Sequence, residues 1–413
     1  MSEELNKGYP ASYFLNGHVS RVNDRFPAIW RYNQEKNEHM TIRITEELFK
    51  RALWRCVDEC ERVDPLKLFS KDNEKTKGDF AVLLSGGLDS SYLTALLAKN
   101  HKRDFDTYTL RYICNADPEL SKNSDVEYAL KLSEELGLIH HQIELTGKEA
   151  LDSLEDIIAL FEEPYSGSFS HFFALKALPD HVDYIFTGDG ADELFMGYPL
   201  HLTAMNEEGI SFMELLAHQW RMPPSLLGSL IEDQEALSSI GMGEYLEELE
   251  DLFSGGDRAI SVADNYLYKD VLPNQILMAT DIFSKHFGKR ILSPYLDDEL
   301  IDHVRRIEPS YKLSGAETKH ILRTMARKVL PEEYINRRKE MFVPPITYWM
   351  MDEWKEAVTD ILGFEHLSGN SILDAGGVYY LLKDFYSAPL TRMRTGELIW
   401  TLLVFQLWYE KNA

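Results

Sequence analysis

The sequence predicts an α/β fold: a doubly wound parallel sheet followed by a largely helical C-terminal half. Three observations carry this expectation. Short apolar runs alternate with helical segments between residues 80 and 188, the pattern of parallel strands joined by crossover helices. The run FAVLL (80–84) is almost continuously apolar, as a strand buried on both faces requires. From about residue 205 the strand pattern stops and helical spacing dominates.

Taken in order, residues 1–40 are mixed and aromatic-rich, with short strands expected at SYFLNG and AIWRY. TEELFKRALWRCVDECERV (45–63) has helical periodicity, and DPLKLFSKDNEKTKGD (64–79) reads as a charged connector. After FAVLL comes a helix over 90–100, a strand TYTLRY (107–112), and a helix over 124–137 closed by Gly137, a common stop signal. HHQIEL (140–145) is a strand, 148–163 a helix, and YIFTG (184–188) another strand. In the second half EYLEELEDLF reads as a solvated helix face, and GELIWTLLVFQLWYE (396–410) as a buried helix whose stripe is core rather than a ligand box.

Composition narrows the function classes. The chain has 413 residues, 44% hydrophobic and 12% aromatic, enough for a large core in two or three lobes. Its net charge of −25 would repel nucleic acid or an anionic membrane. The densest basic spot, NRRKE (336–340), is too short to reverse that. Cys56, Cys60 and Cys114 make no disulfide framework and no metal set, and read as free thiols. The start, MSEELNKGYP, has no apolar leader, and no stretch approaches 18 apolar residues. A cytoplasmic protein with neither nucleic-acid nor membrane partners is expected.

The chemistry concentrates at two strand ends. LLSGGLDSS (83–91) lies between a strand and a helix. Gly86 and Gly87 allow close approach to the backbone, and amides at a helix start seat phosphate. Ser85, Ser90 and Ser91 add hydroxyl donors. Asp89 would repel a phosphate unless it holds a metal ion that touches it. A plain glycine-rich turn with a capping aspartate is the bland alternative. The second cluster, TGDGADELFMGYP (187–199), crowds Asp189, Asp192 and Glu193 into five residues. Carboxylates so close repel one another unless a cation intervenes. The expectation is that Asp89 and Asp192 face one another across Mg²⁺ bound to a polyphosphate. Asp189 is then placed for polar or acid/base work beside the reacting centre. A turn with exposed acids is the bland alternative here.

These motifs resemble a known family. LLSGGLDSS looks like the pyrophosphate loop of the PP-loop ATP pyrophosphatases. TGDGADELFMGYP resembles the signature of asparagine synthetase synthetase domains. KRILSPYLDDELID (289–302) and TKHILRTMARKVLPEEYINRRKEMFVPP (318–345) resemble that family's downstream motifs. The likeness spans roughly residues 45 to 410.

The resemblance implies a reaction in which a substrate carboxylate attacks the α-phosphorus of ATP. Pyrophosphate leaves, and a nitrogen nucleophile displaces AMP to give an amide. By motif match, Ser85, Gly86, Gly87, Asp89 and Ser90 would hold pyrophosphate, and Leu84, Leu110, Thr187 and Gly188 would line the adenosine site. Asp89 and Asp192 would bind Mg²⁺, and Asp189 would stand near the nucleophile. Lys339 would neutralise charge at the α-phosphate; without the resemblance it is a surface lysine beside Arg337 and Arg338. Lys319 and Arg323 are weaker candidates.

The resemblance also implies three segments: 1–44, similar to the linker after a missing glutaminase domain; 45–205, the ATP-binding core; and 206–413, the mostly helical part. Position 2 is Ser where the family's glutaminase domain has its cysteine nucleophile. The nitrogen would then come from free ammonia, a separate glutaminase subunit or an amine substrate; a homo-oligomer is also compatible. Met341 replaces the glycine of the family's K-x-G-F, and Asp281-Ile282 stands where Asp-Arg is common. Both changes put aspartate in doubt as the acceptor. Asparagine formation therefore competes with lactam, macrolactam or natural-product amide formation. An RNA thiolase and a non-catalytic subunit are the readings outside this class.

Overall fold

The structure, a computed structural model, describes residues 9–20, 26, 28–29, 31–32, 37–62, 79–101, 104–114, 124–207, 210–217, 219–231, 242–253, 258–337, 344–369, 371–387 and 392–412. Five strands form one parallel sheet: β1 (Asp79–Leu83), β2 (Asp106–Ile113), β3 (His140–Thr146), β4 (Val182–Phe186) and β5 (Arg290–Leu292). They lie in the order β3-β2-β1-β4-β5, with Val82 opposite both Thr107 of β2 and Phe186 of β4.

Alternation along the central strand explains its apolar run. Ala81 packs into one core, with Tyr108, Leu110 and Ile185. Phe80 and Val82 pack into the other, with Leu93, Leu96 and Phe186. A strand with a core on each face has no polar side to show. Helices α2 (Glu38–Glu61), α3 (Leu88–Asn100) and α4 (Ser124–Leu136) cover the second face. The first is covered by α5 (Gly147–Asp152), α6 (Leu154–Ile158), α7 (Ser170–Ala177) and much of the later helical part. The sheet is doubly wound, and both cores draw on residues before and after 205.

Several local expectations need correction. SYFLNG lies not in a strand but largely in helix α1 (Tyr9–Asn16), followed by a turn at Gly17. Ser12, Tyr13, Phe14, Leu15 and Asn16 are all buried, so apolar and polar positions do not alternate with exposure to reveal a helical period. Ala28, Ile29, Arg31 and Tyr32 lie in no strand; the connector expected over 64–79 falls outside the described residues except for Asp79, which opens β1. The segment 148–163 breaks at Ser153 into α5 and α6; Thr146 and Glu149 cap α5 reciprocally. Strand β5 has only three residues, too few for a period to show.

The acidic segment lies in helix Met242–Phe253. Its Tyr245, Leu249 and Phe253 are buried while Glu247 and Glu250 are exposed, so this helix packs one face and is not merely solvated. The C-terminal helix Arg392–Asn412 buries Leu398, Ile399, Leu402 and Leu403 in the core, as expected.

Candidate active site

The order of the strands fixes where a ligand goes. The chain runs outward from β1 to β2 and β3, then returns to the other side of β1 with β4. Strand order therefore reverses between β1 and β4, and open α/β sheets bind ligands at the carboxyl ends beside such a reversal. Both sequence motifs lie there: SGGLDSS follows β1, and TGDGADE follows β4 and opens helix α8 (Ala191–Phe195).

The first turn is tied by its own hydroxyls. Ser90 Oγ accepts from the Ser85 amide at 3.2 Å and lies 3.1 Å from Ser85 Oγ, and the Gly87 amide donates to Ser85 Oγ at 3.4 Å. Gly86 has φ +73°, and a Cβ there would run into the carbonyl oxygen of Asp125. Gly87 caps α3 without a side-chain bond to the helix amides. Leu84 and Leu110 have fully buried side chains in the two separate cores, so at this turn they form a floor rather than a contact surface.

The three acids after β4 go to three different partners. Asp192 turns toward Lys319 at 2.7 Å. Glu193 is buried and accepts from Tyr198 Oη at 2.5 Å. Asp189 accepts from Thr187 Oγ1 at 2.9 Å and faces His171 Nε2 at 3.4 Å. Burial pushes the Asp189 carboxyl upward, but His171 and Thr187 outweigh it and hold it below its ordinary value. For His171 burial disfavours the charged form, yet the Asp189 carboxylate wins and its pKa is raised.

Lys319 joins the two turns. Its Nζ donates to Asp89 Oδ2 at 2.6 Å and pairs with Asp192 Oδ1 at 2.7 Å, with the side chain 5% exposed. Burial alone would favour the neutral amine; the two carboxylates overcome that and raise its pKa. Lys319 has φ +57°, a conformation that costs a non-glycine residue about 1–3 kcal/mol and collects at functional sites. Nothing in the sequence marks that backbone angle, so this lysine ranks higher in the structure than its motif suggests.

The sheet-edge segment braces the same atoms. Tyr295 Oη donates to the Asp89 carbonyl at 3.0 Å and Ser293 Oγ to the Asp189 carbonyl at 2.7 Å. Gly197 packs against the Lys319–Asp192 contact, where a Cβ would run into Asp192 Oδ1 and Lys319 Cε. Gly197→Ala is expected to destabilise the protein by about 1–3 kcal/mol, read by chemical denaturation. Gly243→Ala, with nothing within 4 Å, is the control that should not.

The other basic candidates separate. Arg323 donates to the backbone carbonyls of Thr318 and Ile335 and so holds two turns together. Arg337 pairs with Asp125, donates to the Gly86 carbonyl at 2.9 Å and stacks on Tyr128, which ties it to the first turn. Lys339 and Met341 lie outside the described residues.

Asp281 pairs with Lys285 at 2.5 Å on the surface. Both line a cavity of about 500 Å³ that also meets Asp189, Thr280, Ser293 and Leu296. Asp89 Oδ2 and Asp192 Oδ1 converge on Lys319 Nζ; a pair of carboxylates brought this close by a cation suits Mg²⁺, which takes few protein ligands and shares the rest with phosphate oxygens. Among the described residues no group of three or more His, Cys, Asp or Glu forms a metal cage.

A glycine–serine turn and an acidic turn meeting where the strand order reverses define the class: a doubly wound α/β protein with both turns at the ligand end of its sheet. Residues 73–410 match the family described as asparagine synthase, and the chain belongs to that family.

The chain is 24% identical over 446 residues to glutamine-hydrolyzing asparagine synthetase 1 of Bacillus subtilis, covering 98% of this chain and 67% of that relative. It is 23% identical over 367 residues to a putative glutamine-hydrolyzing asparagine synthetase of Mycobacterium tuberculosis, covering 79% and 53%. The chain thus spans between about half and two thirds of the length of these relatives. Among solved structures, a U34-tRNA thiolase from Methanococcus maripaludis shows a TM-score of 0.30 at 14% identity, covering 86% of this chain and 85% of that one. That likeness is too slight to bear on the site.

Proposed function

We propose that this protein is an ATP-dependent, AMP-forming carboxylate–amine ligase. The observation that carries the reading is the meeting of Asp89, Asp192 and Lys319 at the strand-order reversal, beside the glycine–serine turn. ATP lies over that turn, with Ser85, Gly86, Gly87 and Ser90 around its pyrophosphate and Thr187 and Gly188 beside its adenosine, above the floor that Leu84 and Leu110 form. A carboxylate substrate attacks the α-phosphorus; the bond to pyrophosphate breaks and an acyl-adenylate forms. A nitrogen nucleophile then attacks the acyl carbon and AMP leaves. Held by Asp89 and Asp192, Mg²⁺ would supply charge neutralisation to the departing pyrophosphate.

Lys319 adds a fixed positive charge beside the same phosphates, and pre-placed charge of this kind lowers barriers without reorganisation. Lys339 is proposed to act at the α-phosphate; the attachment of Arg337 to the Gly86 carbonyl supports this, two positions earlier in the chain. Lys339→Met is expected to lower kcat about 10²- to 10³-fold with little change in the KM for ATP. A raised KM at unchanged kcat would make it a binding residue instead.

The nitrogen donor is ammonia, an amine, or ammonia from a separate glutaminase subunit. A specialised amide or lactam product is favoured over asparagine by the Asp281–Ile282 pair, since the Asp281 carboxylate is engaged by Lys285 and no arginine follows it. The test is exchange of labelled pyrophosphate into ATP across a panel of carboxylic acids, followed by mass spectrometry of acid and amine pairs. Acid-dependent exchange is expected. Absence of exchange with every acid, together with ADP formation, would overturn the reading.

A further inference from the structure

We infer that His171, oriented by Asp189, is the proton acceptor for the nitrogen nucleophile in the amide-forming half of the reaction; this rests on the ligase reading above. His171 stands in the first turn of α7, on the face of the sheet opposite α3 and α4. Its Nε2 faces Asp189 Oδ2, which is also fixed by Thr187 Oγ1 at 2.9 Å. At 3.4 Å the pair is long for a hydrogen bond, as catalytic pairs often are before substrate tightens them. A ring nitrogen that faces a carboxylate carries the proton, which leaves Nδ1 with the lone pair. Nδ1 has no partner among the described residues, and the side chain is 24% exposed.

The position suits the second half-reaction. Asp189 follows Gly188, which packs against Asp89, and Asp189 also lines the cavity beside β5. Asp189 therefore lies between the phosphate side of the site and the space open to a second substrate, and His171 adjoins it at 3.4 Å. Asp189 itself is a weak base, because its carboxyl is held below the ordinary value; His171 is moved the other way. An efficient proton acceptor needs a pKa near the working pH, so the acid/base work expected of Asp189 passes to His171.

Charged groups on the elements packed against α7 are engaged elsewhere. Arg111 pairs with Glu144, His141 with Asp106 and Asp281 with Lys285. Lys176 of α7 reaches Ser153, and His286 stacks on Phe172.

The step balances. The lone pair of the neutral amine attacks the acyl carbon and forms the C–N bond. One proton leaves that nitrogen for His171 Nδ1, giving an imidazolium beside the Asp189 carboxylate. The C–O bond to the adenylate breaks, and AMP departs with the electron pair.

The experiment separates the two half-reactions in H171Q and H171A. Acid-dependent ATP–pyrophosphate exchange should persist in both within a few-fold, which also shows that they fold. Amide formation with ammonium chloride should fall about 10²-fold. Hydroxylamine, whose adduct nitrogen is acidic enough to lose its proton to water without a positioned base, should restore product formation as the hydroxamate. If exchange and ligation fall together in both variants, or hydroxylamine gives no recovery, His171 is not the proton acceptor. If the unaltered protein shows no exchange with any acid, the ligase reading fails and not this step alone.

Discussion

Replacing Asp192 by asparagine is expected to stop acid-dependent pyrophosphate release, by about 10³-fold or more, while the protein stays folded. The two halves of that result have separate causes. Asp89, Asp192 and Lys319 together carry one excess negative charge. The asparagine side chain keeps the shape and an accepting oxygen, and the Lys319–Asp89 pair that remains is neutral, so no buried charge is stranded. What is lost is the second carboxylate of the proposed cation site, whose Oδ1 pairs with Lys319. Without it the charge on a leaving pyrophosphate is compensated less well, an effect on the transition state rather than on the fold. Circular dichroism and the denaturant midpoint check the fold, and pyrophosphate release checks the chemistry. Near-normal turnover in Asp192→Asn would remove the assignment of a joint cation site.

Lys319→Met should behave in the opposite way, losing stability as well as activity. Two carboxylates would face one another across the space left by a buried ammonium, and breaking a buried ionic set by removing one partner costs about 3–5 kcal/mol. Like charges at that range raise the pKa of one carboxyl. The sign of the pH dependence follows. A carboxyl whose pKa is higher folded than unfolded binds more protons in the folded state, so stability falls as pH rises. The deficit of Lys319→Met relative to the unaltered protein should therefore be largest at neutral pH and shrink as the pH drops through the carboxylate range. Denaturation midpoints at several pH values read this directly. A deficit that does not change with pH would show that the loss is one of packing and not of charge.

Fold and site were legible in the sequence to different degrees, for physical reasons. Strand β1 lies inside the parallel sheet with a core on each face, and its unbroken apolar run survives as a readable pattern, whereas edge strand β3 is largely exposed and is marked only by its place in the strand–helix alternation. β5 is too short for any period, and Ser12 to Asn16 of α1 are all buried, so neither announces itself. Asp89 and Asp192 stood out because acids beside a phosphate-binding turn are chemically conspicuous.

Lys319 and His171 did not stand out. Each gains its place from contacts made across 230 and 18 residues of chain to Asp89 and Asp189, and a single lysine or histidine in a line of sequence carries no sign of its partner. The acids after β4 looked like one cluster because spacing alone does not say where side chains turn. In the structure Asp189, Asp192 and Glu193 diverge to His171, Lys319 and Tyr198.

The most direct measurement follows oxygen from one substrate to one product. The acid that supports exchange is supplied with ¹⁸O in its carboxylate, together with ATP, Mg²⁺ and ammonia or an amine, and the nucleotide products are weighed. Attack of the carboxylate on the α-phosphorus predicts one labelled oxygen in AMP, with unlabelled pyrophosphate released alongside. Label in inorganic phosphate, with ADP as the nucleotide, would mean that the γ-phosphorus was attacked and would contradict the account.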